Sequence, residues 1–109
     1  MEKISNKYLE YFEKKDTKSL ENIFSDDIFL IDWELNVLSK KNVIEAFNNI
    51  FNKFENINVS IKEIYCDNKR KTTFVESELT FNNEIKLKVI DILTFNDKNK
   101  LCGIKAYKM

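Results

Sequence analysis

The order of hydrophobic periods along the chain predicts an α+β domain in which helices come first and a curved, mainly antiparallel sheet wraps them. Two observations carry this. Up to Phe54 the apolar residues recur at helical spacing in three stretches, interrupted by one strand-like run. From Ile57 onward four runs show partial period-two alternation, separated by the polar connections "CDNKRK", "FNNE" and "FNDKNK". The expected order is α-α-β-α-β-β-β-β, in one domain over residues 1–109.

Each element has its own warrant. In residues 2–15, Ile4, Tyr8, Tyr11 and Phe12 lie at helical spacing among lysines and glutamates, which makes an amphipathic first helix with Tyr8 on its inward stripe. "KKDTKS" breaks the pattern, and Asp16 or Thr17 caps a short second helix with Leu20, Ile23 and Phe24 on one face. It stops near "SDD". The run "IFLIDWEL", Ile28 to Leu35, is short, apolar and rich in branched and aromatic residues, so it reads as a strand with Ile28, Leu30 and Asp32 on one face. Ser39 caps the third helix, whose stripe is Val43, Phe47, Ile50, Phe51 and Phe54. The remaining strands are "INVSIKEIY", "TTFVESELTF", "EIKLKVIDILTF" and "KLCGIKAYK".

Composition narrows the chemistry. Lysine plus arginine equals aspartate plus glutamate at 18 each, so no basic stripe points to nucleic acid or anionic lipid. The N-terminus is charged throughout and no segment reaches the length of a membrane span, which makes a cytoplasmic location the expectation. Cys66 and Cys102 sit in separate strand-like runs and read as small buried hydrophobes. Histidine is absent, which removes imidazole-based nucleophile systems and histidine-ligated zinc. A single glycine and no proline leave no Gly-rich phosphate loop. No metal or cofactor is expected; acid–base chemistry falls to carboxylates, tyrosine or lysine.

Three residues stand out against that background. Alternation along "KVIDILTF" puts Asp91 on the same side as Leu87, Val89, Leu93 and Phe95, an apolar face. Burial there favours the neutral acid, a hydrogen-bond donor at neutral pH, although an Asp satisfied by backbone amides or a lysine reads equally well. Asp32 ends an apolar run beside Trp33 and reads either as an ionised carboxylate at the open end of a pocket or as a strand-terminating Asp in a turn. Tyr8 can direct its hydroxyl into the same space. Environments that drive two carboxyl pKa values apart assign an acid and a base.

"YLEYFEKKDTKSLENIFSDDIFLID", the capped helix ending "AFNNIF" and the strands ending "VIDILTFNDKNKLCGIKAY" together resemble the SnoaL-like branch of the NTF2-like superfamily, with the ketosteroid isomerases as the nearest functional match. The resemblance implies a cone of three helices packed in a curved sheet. It also implies that Asp32 is a general base and that Tyr8 and protonated Asp91 form an oxyanion hole for an enolate, without a cofactor. Phe12, Leu30, Trp33, Phe47, Phe51, Val89 and Leu93 are the expected apolar lining for a small carbonyl ligand. Asn48 and Phe24 stand where some of these isomerases carry tyrosines that support the network. Other activities in the superfamily, a cyclase, a dehydratase or a non-catalytic binding module, remain open on the same residues. A homodimer through the outer sheet face is expected from Ile90 and Ile92, with Ile104 and Ala106 on the last strand.

Overall fold

The computed structural model describes residues 1–109. Helices α1 (Glu2–Lys14), α2 (Thr17–Ile23) and α3 (Lys40–Lys53) accompany strands β1 (Phe24–Ile31), β2 (Asn36–Leu38), β3 (Ile57–Asp67), β4 (Thr72–Phe81), β5 (Ile85–Phe95) and β6 (Leu101–Lys108). The strands form one sheet in the order β2-β1-β6-β5-β4-β3. All neighbours are antiparallel except β1 and β6, which run parallel. The α+β class, the three helices and the four-strand meander match the expectation. No helix is long and apolar enough to cross a membrane.

The first strand departs from it. β1 begins at Phe24, which the sequence placed on α2, and ends at Ile31 instead of Leu35; the short β2 was not foreseen. Asp32 supplies the reason. Its Oδ1 accepts the backbone N–H groups of Glu34 and Leu35, each at 2.7 Å, while its own N–H donates to the Leu35 carbonyl at 2.9 Å. A side chain that offers the backbone such partners turns it out of the ladder. β1 and β2 therefore close as a hairpin, with Ile31 opposite Asn36.

The helices are placed by caps and by buried polar ties. Asp16 accepts the Ser19 N–H at 3.1 Å and Ser39 accepts the Asn42 N–H at 3.4 Å, which start α2 and α3 where the sequence predicts. α1 turns Ser5, Tyr8, Leu9 and Phe12 inward. Ser5 Oγ meets Thr73 Oγ1 at 2.8 Å, fastening α1 to β4. Glu13 Oε2 accepts the Val59 N–H at 2.6 Å, so the helix also covers part of the free edge of β3. Phe12, Phe47 and Phe51 pack with centroids 5.4 to 6.0 Å apart. Each such buried ring contributes about 1.5–3 kcal/mol.

A register shift between Thr94 and Phe95 corrects the last strand. Ala106 pairs with Asp91 and Ile104 with Leu93, and directly opposed residues share a face, so Ile104 and Ala106 point inward instead of serving the outer face. Ile104 is 1% exposed. Cys66, expected inside, is exposed, while Cys102 is half-buried, and both are free thiols.

Gly103 owes its identity to space. Opposite it on β1 lies Phe29, and a Cβ on Gly103 would sit 2.6 Å from two atoms of that ring. An aromatic ring covering a strand glycine restores the packing that the missing side chain loses. Gly103→Ala is expected to lower stability by about 1–3 kcal/mol in urea unfolding. In a Phe29→Ala background most of that cost disappears; additive losses would refute the steric account.

Candidate active site

The inward faces of the sheet and of two helices enclose a cavity of about 80 Å³. α1 contributes Tyr8, Leu9 and Phe12, α3 Phe47 and Ile50, β1 Leu30, and the β1–β2 turn Asp32 and Trp33. β4 and β5 add Leu79, Phe81, Leu87, Val89 and Asp91, and β6 adds Ile104 and Ala106. The two carboxyl groups, the Tyr8 phenol and the Trp33 indole are the only polar side-chain groups in this lining.

Helical spacing and strand alternation thus converge. Tyr8 shares the buried α1 stripe with Phe12, one turn on, and Asp91 lies between buried Val89 and Leu93 on β5. Tyr8 is 4% and Asp91 6% exposed, whereas Asp32 is only half-buried at the wall nearest the mouth. Trp33, 39% exposed, forms the rim, with the Lys108 ammonium 5.3 Å from its ring centre.

Electrostatics separates the three groups. Burial, and then the nearby charge of Asp32, push the Asp91 carboxyl up to about 7. Burial, with Asp91 and Asp32 adding to it, holds the Tyr8 phenol well above its ordinary value, so it remains an O–H donor. Its neighbours supply no hydroxyl. Phe24 packs with its ring centre 6.4 Å from that of Tyr8, and Asn48 is exposed on α3. The turn holds Asp32 by Oδ1 alone, which leaves Oδ2 without a protein donor. Asp32 thus ends the strand in a turn and also lines the cavity.

Of the seven residues expected to line the cavity, Phe12, Leu30, Trp33, Phe47 and Val89 do so. Phe51 and Leu93 do not: Phe51 stacks behind Phe47, and Leu93 is wholly buried beside Ile104. Ile104 and Ala106 are the lining residues that alternation alone misplaced. The register of β6 against β5 would have revealed them.

Beyond the Trp33 rim the cavity opens into a cleft of about 590 Å³, with Asp32, Trp33, Ile50, Phe81 and Leu87 common to both. No group of three or more Cys, Asp or Glu side chains converges in the molecule as a metal ligand set would.

Solved structures share this architecture. A candidate isomerase of the SnoaL-like family from Agrobacterium tumefaciens str. C58 superposes with a TM-score of 0.84 at 10% identity, covering 98% of this chain and 95% of its own. A candidate ketosteroid isomerase from Kribbella flavida DSM 17836 gives 0.84 at 9% identity, over 96% of this chain and 74% of its own. Nuclear transport factor 2 from Cryptosporidium parvum gives 0.82 at 14% identity, over 99% and 90%. At such identities the likeness is one of fold. Among curated proteins none matches the chain by sequence. Residues 1–93 match the family described as SnoaL-like domain, and the fold is that of the NTF2-like proteins. The chain belongs to the SnoaL-like domain family.

Proposed function

We propose that the protein is a cofactor-free isomerase that moves a carbon–carbon double bond into conjugation with a carbonyl in a small, largely apolar substrate. Asp32 Oδ2 removes the proton from the carbon between the carbonyl and the double bond, and the electron pair passes to the carbonyl oxygen. Tyr8 and protonated Asp91 donate hydrogen bonds to that oxygen as its charge develops. Asp32 then returns the same proton to the far carbon of the conjugated system, so the product is an isomer and the enzyme ends as it began. The convergence of one half-buried carboxylate with two buried O–H donors in an otherwise apolar cavity supports this reading most directly. The assay is the rise of enone absorbance from a short β,γ-unsaturated ketone.

A non-catalytic small-molecule-binding module is the second reading. It draws on the engagement of Asp32 Oδ1 by two turn amides, which commits half of the proposed base to structure. Tight binding of phenol, an enolate mimic, with no turnover of any enone precursor would favour it over catalysis.

The partner proposed is a second copy of the chain. Tyr65, Phe74, Ile92 and Lys105 lie in register across the outer sheet face, with Tyr65 59% and Phe74 36% exposed. On the same face Glu76 and Glu78 of β4 lie beside Ile90 and Lys88 of β5. A two-fold axis would set the glutamate side of one copy against Lys86, Lys88 and Lys105 of the other around an apolar centre. Size-exclusion chromatography is expected to show a dimer that Phe74→Lys dissociates. Elution as a monomer at micromolar concentration would end this proposal.

A further inference from the structure

The two compartments differ in size and in chemistry. At about 80 Å³ the inner cavity falls below the range of roughly 300–1,000 Å³ usual for small-molecule pockets, whereas the outer cleft, about 590 Å³, lies within it. One water needs roughly 10–15 Å³ of such volume, so the inner cavity admits about half a dozen heavy atoms. That is a carbonyl and its conjugated carbons, with the bulk of any larger substrate left outside.

Outside, the walls are dissimilar. Asn42, Glu45, Asn49 and Lys53, spaced three, four and four residues apart on α3, form one polar row along the cleft. Ile85 and Leu87 of β5 face it across the cleft, with Phe81 of β4 at its inner end. Glu45 can only accept hydrogen bonds, Lys53 can only donate, and Asn49 does both. Asn42 already donates to the Leu38 carbonyl at 3.0 Å, which leaves its amide oxygen to accept. Hydroxyl groups donate and accept, so a row of this mixture matches several of them at once. Asp32, Glu34 and Glu45 outnumber Lys53 as charges in the cleft, which opposes an anionic group there.

We propose that the outer cleft is a subsite for a neutral, multiply hydroxylated body attached to a small ketone or enone head, the hydroxyls bonding to Glu45 and Asn49 and the body's apolar side lying on Ile85 and Leu87. This rests on the reading above that the inner cavity takes the carbonyl.

Binding of phenol derivatives, measured by calorimetry on the full chain, tests it. Phenol alone fills the inner cavity; para-hydroxyphenyl glucoside adds a hydroxylated ring, para-cyclohexylphenol an apolar ring of the same size, and para-hydroxyphenylbutanoate a carboxylate. The glucoside is expected to bind most tightly and the carboxylate to gain nothing over phenol. Glu45→Ala and Asn49→Ala, at exposed helix positions where alanine is well tolerated, each weaken the glucoside about 3- to 10-fold and leave phenol unchanged. Tighter binding of the cyclohexyl compound, equal losses for phenol and glucoside in the variants, or no binding of any phenol would overturn the assignment. Turnover separates the two proposals. Intact glucoside selectivity without turnover of any enone precursor sinks the isomerase reading alone; turnover of a short ketone with no glucoside preference sinks the subsite alone.

Discussion

Asp32→Asn is expected to lower turnover of a short β,γ-unsaturated ketone by about 10²- to 10⁴-fold, the range usually contributed by a positioned general base. The substitution isolates the chemistry because asparagine retains a carbonyl oxygen where Oδ1 accepts the Glu34 and Leu35 amides, so the turn and the β1–β2 hairpin persist. Only the basic Oδ2 is lost. Binding of phenol therefore stays within a few-fold of the parent while kcat falls, the pattern of an interaction made in the transition state. Removal of the charge has a second consequence. Asp32 is the second cause of the raised Asp91 carboxyl, so in the variant Asp91 titrates at lower pH while burial still holds it above the ordinary range. Asp26→Asn, on a side chain 99% exposed, is the control and changes neither quantity. Unchanged kcat in Asp32→Asn, with the hairpin intact by NMR, would remove Asp32 from the chemistry.

What was legible in the sequence follows from where local signals outweigh tertiary ones. Asp91 could be placed because Leu87, Val89 and Leu93 alternate strictly along the part of β5 that pairs with β4 without a register shift. Tyr8 could be placed because α1 carries its stripe unbroken to Phe12. The limits of β1 could not. Trp33 and Leu35 are apolar like the strand before them, and the turn shows in the hydrogen bonds that Asp32 Oδ1 accepts from the Glu34 and Leu35 N–H groups. Phe24 has a side chain suited to the α2 face, yet its backbone is extended at φ −85°, ψ 141°. β6 failed for a different reason. The shift between Thr94 and Phe95 reverses the parity of its inward positions, and nothing local to "KLCGIKAYK" encodes the partner register. Ile104 and Ala106 were thereby given to the outside, and the cavity lost two of its walls.

Asp91→Asn is expected to remove the pH dependence that the buried acid imposes on stability. In the folded protein Asp91 titrates at about 7, against an ordinary value of 3.8. Below the ordinary value both states carry the proton and the acid costs nothing. Between the two values the folded state holds a proton that the unfolded chain has released, so stability falls as pH rises, and above about 7 the full penalty applies. Each unit of separation is worth about 1.4 kcal/mol, which makes the loss across this window roughly 4 kcal/mol. Asparagine fills the same space without titrating. Relative to the parent, Asp91→Asn is expected to be neutral or mildly destabilising at pH 4 and stabilising at pH 9, with the crossing between, as read from urea midpoints at a series of pH values. Parallel curves would mean that Asp91 is already ionised in the folded protein at neutral pH. The same proton governs activity under the proposed chemistry, because an ionised Asp91 beside the developing enolate repels it. Parent turnover accordingly declines above about pH 7. Asp91→Asn, which keeps an N–H donor at every pH, has a lower rate on the acid side and no such alkaline limb. Under the proposed chemistry the residue that makes the site competent at neutral pH is thus the one that weakens the fold on the alkaline side, and one substitution should release both effects together.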